Sequence, residues 1–267
     1  MTIETGAQLR ALYEKEGGVG SIFSAKVADY VSSRPDYPDA LFRQLKEACN
    51  LGPASVVADV GAGTGLLTHG LLVRGYTVVA VEPNQPMREA ADRLLASLSG
   101  YSSVDGSAER IPLAASSVDL ITAAHAFHWF EVEAARLECL RVLRPNGQVA
   151  LVWNDRLKSD PLHQALDAVL GDYGGVKRSA LVAHEERGDI PAFFGKTQPR
   201  EFAWPHQHVI NEAGLLSLVF SRSYMPDRKS VQGHQAVIQL RELYRRFSSG
   251  NVLTVPYTTV AYLGRPS

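Results

Sequence analysis

The stretch Val56-Val57-Ala58-Asp59-Val60-Gly61-Ala62-Gly63-Thr64-Gly65-Leu66-Leu67 decides the architecture. Its first five residues are apolar apart from Asp59 and do not alternate in polarity. Such a run reads as a short parallel strand covered on both faces. Glycines follow at positions 61, 63 and 65. A glycine-rich turn between a strand and a helix lets a ligand approach the backbone N–H groups of a helix N-terminus. Leu66, Leu67, Leu71 and Leu72 continue with helical spacing, and Gly75 closes that helix. The general dinucleotide fingerprint is Gly-x-Gly-x-x-Gly. Here its last position is Leu66 and the third glycine falls one residue early. The turn alone therefore selects no nucleotide.

The same alternation extends outward in both directions. Upstream, a helix is expected over about 37–49, with Pro38 in its first turn and Leu41, Leu45 and Ala48 on one face. Downstream, 77–81 reads as a second strand ending in Glu82. Met87, Ala90, Ala91, Leu94, Leu95 and Leu98 then form a helical stripe. A weak strand is expected at 102–105 and a fourth at 118–123. The helix marked by Val132, Ala135, Cys139 and Leu143 breaks at Pro145-Asn146-Gly147, before a fifth strand at 149–153. Strands alternating with helices on short connections mean parallel βαβ units. Residues 38–155 therefore read as a doubly wound, Rossmann-like α/β core. Residues 1–37 read as a polar lead-in and lid. Residues 156–267 read as a helical cover, with a terminal strand at 252–263 in which Pro256 argues for an edge position or a break. Gly17, Gly18, Gly20, Gly174 and Gly175 would permit movement of the lead-in and cover.

The chain has 267 residues, 45% of them hydrophobic and 21% charged, with a net charge of −1. That excludes a disordered chain and a disulfide scaffold, and it shows none of the basic excess of a nucleic-acid binder. Cys49 and Cys139 lie in amphipathic helical patterns with no metal-ligand spacing, and read as buried thiols of a reducing compartment. No apolar run reaches the roughly 18 residues of a membrane span. A cytoplasmic protein, monomer or homodimer, without metal, membrane or nucleic-acid partner is expected.

Two acids carry the first chemistry. Asp59 ends an apolar strand, where a carboxylate wants a cationic or strongly donating partner. It would repel a pyrophosphate and accept an ammonium group. Capping of nearby N–H groups is the competing structural role. Glu82 lies 21 residues beyond Gly61 at the end of the second strand, where an acid accepts hydrogen bonds from ribose hydroxyls. A turn acid ahead of Pro83 is its competing role. His125 and His128 follow the fourth strand at its ligand-binding end and are the candidate catalytic bases. His206-x-His208 falls on one face of a strand and reads as structural.

Several ordered motifs carry a resemblance. They are Val57 to Gly65; Val81-Glu82-Pro83-Asn84 with Met87; Gly106-Ser107-Ala108-Glu109-Arg110-Ile111-Pro112-Leu113; Ser117 to Ile121; Phe127-His128-Trp129-Phe130; and Arg141 to Gly147. Together they resemble class I S-adenosylmethionine-dependent methyltransferases, of the branch that includes ubiquinone/menaquinone and trans-aconitate methyltransferases. Phe23 to Pro38, with Tyr30-x-x-x-Arg34-Pro35, is similar to the leading helix of that branch. The resemblance covers about residues 22–156. It implies a mostly parallel seven-stranded sheet with helical cover, S-adenosylmethionine as cofactor and S-adenosylhomocysteine as product. It implies that Asp59, Gly61, Ala62, Gly63 and Gly65 hold the methionine end, with Asp59 facing the ammonium group. Glu82 would bind the ribose. Asn84 and Met87 would flank the adenine on one side, with Ser107 and Ala108 on the other. Ala124 and His125 would lie near the transferable methyl, and Arg34 near the cofactor carboxylate.

A methyl donor of this kind needs a nucleophile brought in line with the S–CH₃ bond and shielded from water. A base is needed only for a weakly acidic nucleophile. The acceptor site is expected between residues 13–37 and 155–247. If the basic stretch near Arg222 faces that site, a small acidic acceptor is favoured. Two alternatives remain at this level: an NAD(P)-dependent oxidoreductase, and a non-catalytic cofactor-binding protein of the same fold.

Overall fold

The computed structural model describes residues 26–31, 33–184 and 187–267, with the side chains of 183 and 184 left aside. Gly17, Gly18, Gly20 and the start of the Phe23 to Pro38 stretch lie outside the described residues. The elements are α1 (Asp39–Ala48), β1 (Val56–Val60), α2 (Leu66–Leu72), β2 (Thr77–Val81), α3 (Gln85–Leu95), β3 (Tyr101–Val104) and β4 (Val118–Ala124). They continue with α4 (Val132–Val142), β5 (Leu143–Arg156), α5 (Pro161–His184), α6 (Ile190–Phe194), β6 (Arg200–Ile210), α7 (Glu212–Phe220), α8 (Val231–Phe247) and β7 (Leu253–Gly264). The seven strands form one sheet in the order β3-β2-β1-β4-β5-β7-β6. The first five are parallel; β7 pairs antiparallel with both β5 and β6.

Each buried strand feeds two cores. Val57, Leu120, Ala150 and Val152 meet α1, α2 and α3, while Ala58, Val60, Ile121, Ala123, Val149 and Leu151 meet α4 and α6. This is the physical reason these strands read as unbroken apolar runs. A third cluster joins α5, α7 and α8 to the ends of β6 and β7. The order of strands reverses between β1 and β4. At such a point the strand ends diverge and leave a crevice for a ligand.

Several local expectations change. Residues 156–250 are not all helical: β6 contributes 11 residues as the sheet edge. Pro256 does not mark an edge strand, because β7 lies between β5 and β6. However, the β5 ladder ends at Arg156 opposite Tyr257, so Pro256 has β6 alone beside it. A missing N–H is harmless there. Pro145-Asn146-Gly147 does not end a helix before a separate strand; α4 ends at Val142, and this turn is an excursion within β5. Leu143 pairs with Val118 and Gln148 with Leu120, so the residues between bulge outward, and Arg144 meets Asp119 at 2.6 Å. Pro38 caps α1 rather than sitting in its first turn. Cys49 is half-buried, unlike the buried Cys139. Burial pushes these thiols up to about 11 and about 12, which keeps both protonated.

Candidate cofactor and acceptor cleft

The glycine turn is tied to β2. Gly61 and Ala62 donate their N–H groups to the Val81 carbonyl, at 2.9 and 3.2 Å. Gly61 has φ +68°, and a Cβ there would stand 2.5 Å from the Ala126 Cβ. Gly65 caps α2 at φ +83° with the Leu95 side chain 2.4 Å from where its Cβ would be. Gly61 has no room for a side chain, and the left-handed backbone at both positions favours glycine.

The acids hold this turn from two sides. Glu82, 8% exposed, accepts the Gly63 N–H on Oε2 and the Asn84 N–H on Oε1, both at 2.8 Å. The turn-acid role is therefore real, and Glu82 faces the cleft as well. Burial raises its pKa despite these bonds. Asp59 sits opposite Thr122 in the β1–β4 register, so both point to the face covered by α2. Its carboxylate accepts the hydroxyls of Thr68, at 2.6 Å, and Thr122, at 2.7 Å. Burial outweighs these bonds and raises the Asp59 carboxyl to about 6. The two threonines were not anticipated. A hydroxyl inside the apolar runs of β4 and α2 was the available signal.

Two adjoining hollows open over this end of the sheet. One, of about 440 Å³, is lined by Gly63, Glu82, Asn84, Met87, Ser107 and Ala108. The other, of about 390 Å³, is lined by Arg34, Asp59, Ala62, His128, Trp153 and Arg222 among others. Gly61, Ala124, His125, Tyr30 and Trp129 border both and join them into one cleft. Every expected site residue but one thus faces the cleft. Gly65 does not; it lies behind the turn against α3. The Asn84 side chain also caps α3, accepting the Met87 N–H at 3.0 Å. Phe127 lies in the core, edge-on to Phe130, Trp153 and Phe193, whereas Trp129 and Phe130 face the cleft.

His125 turns the chain at the end of β4 with φ +51°. Its Nε2 accepts the Asn154 N–H at 2.8 Å. Burial, reinforced by the field of Arg34, holds its pKa well below the usual imidazole range. The ring is therefore neutral, with its proton on Nδ1 and its basic nitrogen engaged. That geometry argues against a base at His125. His128 lines the hollow of about 390 Å³, beside Trp129. His206 and His208 do share a face, as expected. Nε2 of His208 lies 2.9 Å from the Ser33 carbonyl, and Nε2 of His206 lies 3.0 Å from Asp36 Oδ1. The His208 hydrogen bond fastens the leading segment to β6.

Asn154 fastens the same segment from β5. Its Nδ2 donates to the Asp36 carbonyl at 2.9 Å, and its Oδ1 accepts the Thr259 hydroxyl at 2.6 Å. Asn154→Ala leaves the buried Thr259 hydroxyl unpaired and releases the Asp36 carbonyl, and should cost about 2–3 kcal/mol in urea unfolding. A Cm within error of wild type would show that water replaces the amide. In α5, Gly175 adopts φ 50° and ψ −146° and divides the helix. Leu181 and Val182 of the second part reach the hollow of about 390 Å³. Among the described residues no cluster of His, Cys, Asp or Glu fits a metal ion, and no helix is long and apolar enough to cross a membrane.

A parallel sheet closed by an antiparallel seventh strand, with a glycine turn and two acids under a cleft at the strand reversal, defines the Rossmann-like class. Residues 58–151 match the methyltransferase domain family. An uncharacterized methyltransferase of Mycobacterium tuberculosis is 35% identical over 241 residues, covering 89% of this chain and 93% of the relative. An uncharacterized methyltransferase-like protein of Schizosaccharomyces pombe is 29% identical over 258 residues, covering 90% and 93%. The solved structure of a putative type II methyltransferase from Anaeromyxobacter dehalogenans aligns at TM-score 0.64 and 23% identity, covering 87% of this chain and 97% of that one, which shows the shared fold. The chain belongs to the class I S-adenosylmethionine-dependent methyltransferases. The oxidoreductase alternative falls with that membership.

Proposed function

We propose that this enzyme moves a methyl group from S-adenosylmethionine, bound along the glycine turn, to a small-molecule acceptor in the hollow beside Arg222. One observation carries the reading. Two buried acids, Asp59 and Glu82, stand on either side of the glycine turn and face one continuous cleft. A pyrophosphate there would be repelled from both sides. A ligand with an ammonium group at one end and a ribose at the other satisfies both.

The residues present fit such a ligand. Asp59 faces the ammonium group, and its high pKa marks a carboxylate short of positive charge. Arg34, whose buried Nε has no hydrogen-bond partner, is suited to the carboxylate of the amino-acid end. Glu82 keeps lone pairs for the ribose hydroxyls. Asn84 and Met87 frame the adenine on one side, and Ser107 and Ala108 on the other. When bound, the cofactor supplies an activated methyl on a sulfonium. The protein's share is to orient the acceptor and exclude water, which contributes up to about 10 kcal/mol. His125, hydrogen-bonded to β5, fixes the floor beneath the reacting end as a positioning residue.

Calorimetric titration tests this. S-adenosylhomocysteine should bind saturably at one site per chain, and NAD⁺ should not bind. Binding of NAD⁺ in its place would overturn the reading.

A further inference from the structure

The acceptor side of the cleft is strongly cationic. Among the described residues, Arg34, Arg156, Lys158, Arg187 and Arg222 line it, with the carboxylates of Asp59 and Asp155. The arginines are not equivalent. Arg156 is ion-paired with Asp167, which also lies 3.0 Å from Arg178. Arg187 is ion-paired with Asp155 and lies over the Trp153 ring, 4.4 Å from its centroid. Arg34 lies 4.5 Å from the Tyr30 centroid. Among the described residues the Arg222 guanidinium has no carboxylate within salt-bridge distance, and its Nε is buried without a hydrogen-bond partner.

The fold explains why this charge is left over. Arg222 follows α7, whose C-terminal carbonyls attract a cation. Lys26 of the leading segment already fills that place. Its Nζ donates to the carbonyls of Phe220 at 3.0 Å, Arg222 at 2.7 Å and Met225 at 2.8 Å. The turn is thereby clamped, and the Arg222 side chain lies in the cleft wall beside Ser223, Tyr224 and Tyr257. The positive field of Arg222 reaches His125, His163 and Tyr257, which places it between the end of β4 and the cover. A partly desolvated guanidinium without a counter-charge is costly, and a planar oxyanion meets its fork with two parallel hydrogen bonds.

We propose that the methyl acceptor carries an anionic group, carboxylate or phosphate, and that Arg222 is the residue that anchors it. This rests on the methyltransferase reading above. It assigns Arg34 to the cofactor and Arg222 to the acceptor, so the two arginines answer to different ligands.

The experiment uses the full chain saturated with S-adenosylhomocysteine. Succinate, citrate and inorganic phosphate are titrated in turn by calorimetry, with succinamide as the neutral control. At least one of the anions should bind and the diamide should not. Preference for the carboxylates or for phosphate tells the two oxyanions apart. Arg222→Gln should weaken the anion at least tenfold while S-adenosylhomocysteine affinity stays within twofold, which also shows that the variant is folded. Arg222→Lys, with charge but no fork, should fall between. With S-adenosylhomocysteine bound normally, absence of anion binding, or anion affinity unchanged by Arg222→Gln, overturns this assignment alone. Failure of S-adenosylhomocysteine to bind the wild type overturns the methyltransferase reading, and this assignment with it.

Discussion

Asp59→Asn should make the protein harder to unfold and worse at holding its cofactor. Burial raises this carboxyl to about 6 in the folded state, from an ordinary 3.8. A carboxyl raised on folding favours the protonated fold. Its contribution is fully present below pH ~4 and is lost as pH rises through about 6. At pH 8 the ionised group therefore costs the fold about 3 kcal/mol. Asparagine removes that cost. It offers one acceptor and one donor to Thr68 and Thr122, whose hydroxyls can turn to suit. The melting temperature should rise by several degrees at pH 8, with the gain over wild type vanishing near pH 4. S-adenosylhomocysteine affinity should fall at least thirtyfold, about 2 kcal/mol. Wild-type affinity should itself weaken as pH drops through about 6. Scanning calorimetry and titration at both pH values check this. An unchanged melting temperature at pH 8 would refute the idea that the charge is held at a cost.

Glu82→Ala should be the more damaging change for the other end of the ligand. It removes the acceptor of the Gly63 and Asn84 N–H groups and the proposed acceptor for two ribose hydroxyls. Hydrogen bonds to a charged acceptor contribute about 1.5–3 kcal/mol each. S-adenosylhomocysteine affinity should fall at least a hundredfold, about 2.7 kcal/mol. Adenosine alone separates the two acids. It should lose affinity in Glu82→Ala and keep it in Asp59→Asn. Equal losses of adenosine binding in both variants would mean that the turn collapses as a unit.

The sequence made the α/β core legible because each signal there is local. Apolar runs at 56–60 and 118–123 name strands buried on both faces, and the glycines at 61, 63 and 65 name the turn from the first of them into a helix. Asp59 and Glu82 stand out as acids at strand ends. What escaped was set by contacts far apart in the chain. Thr68 and Thr122 matter only because register brings Thr122 beside Asp59 and α2 lies over both. Pro256 misled because its tolerance depends on where β5 stops, 100 residues earlier in the chain (Arg156 against Pro256). His125 read as a base from its place after β4; the amide of Asn154 that engages it is 29 residues away. The unpaired state of Arg222 was invisible for the same reason, since it depends on Lys26 taking the carbonyls of its turn.

The antiparallel insertion of β7 between β5 and β6 bears on how the chain acquires its shape. The ladder partner of β6 is β7, yet β7 comes 43 residues later, counting from Ile210 to Leu253. Until then β6 has bare edges, with Phe202 and Trp204 stacked on one face and uncovered. Such edges invite pairing with other chains. The first five strands can condense into a parallel core beforehand, because their pairings with one another need neither β6 nor β7. Folding should therefore proceed in two stages, with β6 and β7 closing together and late. Weak β6–β7 pairing, which slows the second stage, and high chain concentration, which speeds the competing association, should each lead to aggregation rather than to a soluble, unfolded chain.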